Sequence, residues 1–523
     1  MRRGSILILA IFFLFVVELL AFAFVNLIPT EMNSAGRTRL SVAGRLAAEA
    51  GLEYAIAWME EELRQNREPT SPAHPKLVLT GEVSGWVWKV NIEPDSQTPP
   101  NGTSNQRIYL ITSEASQTVG GTVYARLRCS VGQESFAAYT RFVDKWPAGT
   151  WVAAGPSQIR GRFHTNDRLR VQVYHDFYTT RDPEWPKGPT FLGLVTAAGR
   201  ASTPDGVEYR TDSNSEPAPY LAKGAQKTAR YEAIYKGGRA GLETGVPKIP
   251  MPVERDVKSL AESAWGGPPT PAQDDTVYFN PGAGIYVSGS VTGLQLSAPP
   301  GLSQQTLTTA LGQVQIVEVH QGSYTTPGGK AVSAGSTAIL GPGSKERVVA
   351  ALPNGVIFVR GNIEGLYGVN RGPHTLVSRN NVVLAKDEDI YCADAPRPKT
   401  YDADNLPASN GKNPLGIYCS HLIVPAYAHE GNDLFLFAAI VCSNADGSGN
   451  LMVEDRDDSN HGGAKLVLVG SLVEDSRTYW ASTSVRAGYG AVLLSDKFLN
   501  ASPPPNFPST SHLKLSNVVF DAL

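Results

Sequence analysis

Chemistry in this 523-residue chain would have to come from a few side-chain groups. Asp387-Glu388-Asp389 puts three carboxylates in a row, material for a general acid and base or for calcium ligation. Adjacency along the chain does not oppose two carboxylates across a substrate, so the plainer reading is a solvated loop. Asp455, Asp457 and Asp458 repeat oxygen ligands at the short spacing of a calcium loop, without the full pattern of a helix-loop-helix site. His164, in Phe163-His164-Thr165-Asn166, has no partner positioned by spacing and reads as a hydrogen-bonded structural histidine. The four cysteines show no C-x-x-C pair, which argues against zinc. Cys419 and Cys442 lie 23 residues apart and leave two readings open, a stacked disulfide or two buried thiols. No nucleophile elbow, phosphate loop or dinucleotide fingerprint stands in the right setting, so the expectation is no enzyme, no catalytic residue, no metal and no cofactor.

The elements that carry these residues are more legible than the groups themselves. Net charge is −3 with 18% charged residues, too little basic excess for a phosphate backbone, so no nucleic-acid partner is expected. The 51 glycines and 37 prolines call for many turns between short strands. Chain length implies two or three domains.

Behind Met1-Arg2-Arg3-Gly4, an apolar run from Ser5 to Ile28 is long enough to cross a bilayer core. The leading arginines place the N-terminus in the cytoplasm and the rest of the chain outside it, periplasmic or extracellular. Glu18 interrupts the run, and a carboxylate there costs a few kcal/mol unless neutral or partnered. Leu52, Ile56, Met59 and Leu63 follow at spacings of four, three and four, predicting an amphipathic continuation of the helix as far as Arg67.

Arg2-Arg3-Gly4-Ser5-Ile6-Leu7 and Ala47-Ala48-Glu49-Ala50-Gly51-Leu52-Glu53-Tyr54-Ala55 together resemble the type IV pilin superfamily, in its minor-pilin and tip-pseudopilin branch. The resemblance implies processing between Gly4 and Ser5 by a prepilin peptidase, and assembly with other pilin-like subunits in contact with membrane lipid. Glu18, Glu49 and Glu53 are the candidate assembly residues. Where most pilins carry a glutamate five residues into the mature chain, this one has Leu9.

Residues 71–147 read as a small antiparallel sheet on the helix, from the alternation in Trp86–Ile92, Arg107–Ile111 and Val123–Cys129. Residues 148–350 read as an irregular β-rich region. From 351 to 523, apolar runs such as Val356–Val359, Leu415–Cys419 and Leu466–Val469 recur every 20 to 30 residues. These predict a parallel β-solenoid with a C-terminal tail, a long-looped β-sandwich being the alternative. The fold class expected is therefore mainly β behind a long N-terminal α-helix. The function expected is a membrane-anchored structural component of a type IV pilus or type II secretion-like filament, single-pass in the inner membrane. A membrane-anchored carbohydrate-active β-solenoid enzyme is the rival.

Overall fold

The computed structural model describes residues 3–65, 67, 69–70, 76–94, 108–154, 158–173, 190–211, 218–252, 254–342, 346–393, 395, 411–425, 433–454, 465–477, 481–482, 487–488, 490–499 and 502–522. The chain is mainly β behind one long N-terminal helix, and it divides into two compact units.

The first unit comprises Met1–Asp95, Arg107–Gly132 and Leu513–Leu523. Helix α1 (Arg3–Arg64) has 62 residues, about 93 Å at 1.5 Å per residue, and runs without a break through Pro29. Strands β1 (Leu77–Val83), β2 (Trp86–Pro94), β3 (Ile108–Ser116) and β4 (Val123–Ser135) form antiparallel neighbours. Ser84 and Gly85 make the β1–β2 turn at φ +50° and +77°, the positive-φ pair that a two-residue hairpin favours. The outer strand beside β4 is Ser509–Ala522, which returns from the far end of the chain. The expected tail of the body is thus the fifth strand of the first sheet.

The second unit comprises Ser96–Gln106 and Gln133–His512, and its large sheet is mixed. One parallel series joins ten strands in register through Tyr286, Phe358, Val377, Tyr418, Val441, Val473, Phe142, His164, Thr196 and Glu243. A second parallel series links Gly293–Ser297, Ile363–Asn370, Asn381–Leu384, His421–Val424 and Asn450–Val453. Their inward side chains, among them Ile285, Ile357, Leu376, Ile417, Ile440 and Leu472, share one apolar core. Antiparallel hairpins over Leu302–Thr309, Gly312–Val319, Ser336–Leu340 and Glu346–Val349 extend the sheet.

Spatial order in the ten-strand series departs from chain order. The chain enters in mid-series at β5 (Arg141–Lys145) and winds outward to Leu242–Thr244. It then returns along the sheet over residues 245–284 and restarts at Ile285–Val287, which leads back to Lys465–Ser476 beside β5. The returning segment includes an amphipathic helix, α2 (Glu254–Trp265), whose Leu260, Ala261 and Ala264 cover the outward row of Phe358, Val377 and Tyr418. Polar pins fix it: Asn166 exchanges two bonds with the Ile249 backbone, Ser443 donates to the Pro252 carbonyl, and Asn354 donates to the Ser263 carbonyl.

Candidate functional site

Helix α1 changes character along its length. Ile11–Ile28 has a mean hydropathy of 2.6 and none of it is buried in the fold, leaving Phe12, Phe13, Phe15, Phe22 and Phe24 exposed. Such a stretch is long and apolar enough to span a bilayer. Glu18 lies inside it and is exposed with its neighbours. Gly4 and Ser5 belong to the first turn of the helix.

The second half of α1 docks on the sheet through a narrow stripe of small residues. Gly44, Ala47, Ala48, Gly51, Leu52, Ala55, Met59 and Leu63 are buried at the three- and four-residue intervals of one helix face. The stripe brings the backbones close: a Cβ on Gly51 would lie 2.9 Å from Ser113 Oγ and 3.1 Å from Trp88 Cβ, and one on Gly44 3.1 Å from Tyr124 Cβ. Ser113 Oγ donates to the Ala48 carbonyl at 2.7 Å from beneath the helix. The Ala47–Ala55 segment singled out in the sequence is therefore largely a packing face. Its two acids point elsewhere: Glu49 pairs with Arg45 at 2.8 Å on the helix surface, and Glu53 is exposed. The C-terminal strand secures the other flank, where the Leu513 N–H donates to Glu60 and Arg45 lies over the Phe520 ring at 5.2 Å.

The other groups considered for chemistry either hold contacts within the fold or lie outside the described residues. Asp389 accepts from the Phe435 N–H at 2.9 Å and from the Tyr391 hydroxyl, so it ties two chain segments together. Asp387 sits in the turn before it at φ +61°. Asp455, Asp457 and Asp458 lie outside the described residues. His164 is buried between Thr196 Oγ1 at 2.8 Å and Asn166 Oδ1 at 3.0 Å, and burial pushes its pKa down to about 4. Cys419 and Cys442 are register partners on adjacent parallel strands, with sulfurs 4.0 Å apart and unbonded.

The sequence reading missed two buried polar clusters. In one, Glu318 accepts from Gln305 Nε2 at 3.0 Å and faces His374 Nε2 at 2.9 Å and His320 Nε2 at 3.4 Å. Burial would raise the Glu318 carboxyl, but the two imidazoles outweigh it and hold the pKa down at about 2. Glu318, in the strand Gly312–Val319, and His320, just beyond its end, stand two residues apart, which is a usable signal, but His374 joins them only through the fold. In the other, Asp475 is hydrogen-bonded to Ser443 Oγ at 2.9 Å and accepts from the Asn444 and Gly449 N–H groups. Burial, reinforced by the Asp144 charge, pushes it up to about 6. Neither cluster is a groove lined by facing carboxylates. Among the described residues, no group of three or more His, Cys, Asp or Glu side chains is arranged to hold a metal ion.

No family model matches this chain, and no curated protein does. Among solved structures, the competence-associated pilin ComZ from Thermus thermophilus is similar at 13% identity, over 92% of this chain and 97% of that one, with a TM-score of 0.21. A superposition that loose transmits no fold, so the functional reading rests on the geometry of α1 and its sheet.

Proposed function

We propose that this chain is a minor-pilin-like or pseudopilin-like subunit of a type IV pilus or type II secretion-like filament. The observation that carries the reading is α1, bare and apolar over Ile11–Ile28 and packed through a small-residue stripe onto an antiparallel sheet. A helix built this way has one half ready for lipid or for the helices of neighbouring subunits, and one half committed to its own globular unit. In this reading a prepilin peptidase cuts between Gly4 and Ser5, the N-terminus faces the cytoplasm, and the body stands outside the inner membrane. The body is read as a parallel β-solenoid that caps the filament, decorates it or adheres, without hydrolase or lyase chemistry. The ten-strand register supports the solenoid, as does the polar stack of Asn381, His421 and Asn450 along the second series.

Intact-mass analysis of protein from its native host tests the processing step. The expected mass is that of the chain beginning at Ser5; recovery of only full-length chain beside an active prepilin peptidase would sink the assignment. Glu18→Leu tests assembly. An exposed carboxylate in an apolar helix is costly in lipid and worth keeping only if partnered. The variant should insert as well as the parent and co-purify less with other pilin-like subunits; equal co-purification removes Glu18 from the mechanism.

A further inference from the structure

We propose that Cys419 and Cys442 are oxidised to a disulfide that staples two neighbouring strands of the body as the chain folds outside the cytoplasm. The proposal rests on the export of the body argued above. Cys419 ends Leu415–Cys419 and Cys442 ends Leu434–Cys442, and the two residues are direct partners in the parallel register. Adjacent strands lie about 4.8 Å apart, and disulfides bridge Cα separations of about 4.4 to 6.8 Å. The sulfurs are already 4.0 Å from each other, so side-chain rotation supplies most of the remaining approach. Cys392 lies instead against the Phe437 carbonyl, 3.7 Å from its sulfur. Cys129 belongs to the other unit.

Both thiols are fully buried in the main apolar core, beside Ile440 and Leu472. No oxidant reaches them there, and burial raises the Cys442 thiol well above its ordinary range, which suppresses the thiolate that exchange requires. The bond must therefore form before these strands close. The oxidant is a disulfide, either that of a protein exchange catalyst or glutathione disulfide. One cysteine thiolate attacks an oxidant sulfur, breaking the oxidant's S–S bond and expelling one thiol, to give a mixed disulfide. The second cysteine thiolate then attacks its partner's sulfur and expels the second thiol. Two electrons and two protons pass to the oxidant, and one S–S bond replaces another.

The test is alkylation of the unfolded full-length chain, purified once from exporting cells and once from a reducing cytoplasm. Intact mass counts the labels, and peptide mapping locates any link. The cytoplasmic chain should take four labels. The exported chain should take two, with a single 419–442 linkage, and its Cys442→Ser variant three. Four labels on a chain whose body is shown to be external by added protease, or a link mapped to other cysteines, overturns the proposal and leaves the filament reading intact. If protease shows the body inside, the filament reading fails instead. Refolding the purified chain with glutathione disulfide then decides the disulfide: a 419–442 link sustains it and four free thiols refute it.

Discussion

Two single side chains give this protein opposed pH responses. His164 is held down to about 4 by burial, from an ordinary value of about 6.5. Between those values the unfolded chain binds the extra proton, so this group costs stability as pH falls from about 6.5 to 4. Asp475 is pushed up to about 6 from 3.8. Its stabilising proton is fully in place below about pH 4 and lost as pH rises through 6. At about 1.4 kcal/mol per unit each, the two slopes nearly cancel between pH 4 and 6. In urea titrations across that window the parent should be almost flat with respect to these groups. Asp475→Asn should expose the histidine and gain stability with rising pH, whereas His164→Phe should expose the acid and lose it. The asparagine suits its place, because its oxygen can accept from the Asn444 and Gly449 N–H groups while its amide donates to Ser443 Oγ. Glu318 acts lower still: its carboxyl, held at about 2, contributes stability above the unfolded range and loses it as pH falls through 2. Gly51 offers a test without titration. Any Cβ there collides with Ser113 and Trp88, so Gly51→Val should destabilise the helix-and-sheet unit by about 1–3 kcal/mol, read as a lower urea midpoint.

At the level of elements, the junction where Lys465–Ser476 meets β5 is held by a buried ion pair. Arg141 pairs there with Glu474, their side chains 2% and 0% exposed, and Glu474 also accepts from the Leu451 N–H at 3.1 Å. Removing one partner strands a buried charge, so Arg141→Met should cost about 3–5 kcal/mol, and adding Glu474→Leu should recover most of it. A double-mutant cycle of unfolding free energies checks this. Recovery by the double variant would mean that the pair sets which strands meet more than it adds stability. Such a junction was not legible in the sequence, since Arg141 and Glu474 lie 333 residues apart and nothing local marks either as a partner. The leading helix and the strands β2–β4 were legible, because apolar runs and alternation are local consequences of burial. The fifth strand was not. Ser509–Ala522 carries a break in alternation at Asn517, which adopts φ +52°, and its neighbour β4 precedes it by nearly four hundred residues. The exposed apolar run was legible, but the directions in which Glu49 and Glu53 point were not, since a motif does not orient its acids.

For the whole molecule, the order of strands in the ten-strand series sets the order in which surfaces are covered. β5 and its followers can stack as soon as they are made, but the side of β5 that receives Lys465–Ser476 stays open until the chain has run out along 245–284 and back. An open parallel edge of that kind is a site for mispairing, so folding intermediates should be exposed there. Pulse-labelling hydrogen exchange during refolding should protect Phe163–Arg168 before Arg141–Lys145.

The return of Ser509–Ala522 to the first sheet bears on manufacture. A chain interrupted anywhere between residues 136 and 508 carries a finished helix and four strands, yet lacks the strand that covers the outer side of β4. Its edge stays bare, without the Leu513 N–H that donates to Glu60 and without the Phe520 ring beneath Arg45. The helix-and-sheet unit therefore keeps a record of the chain's far end: it is complete only when Ser509–Ala522 has been added beside β4, and without that strand the edge of β4 is open to pairing with another chain.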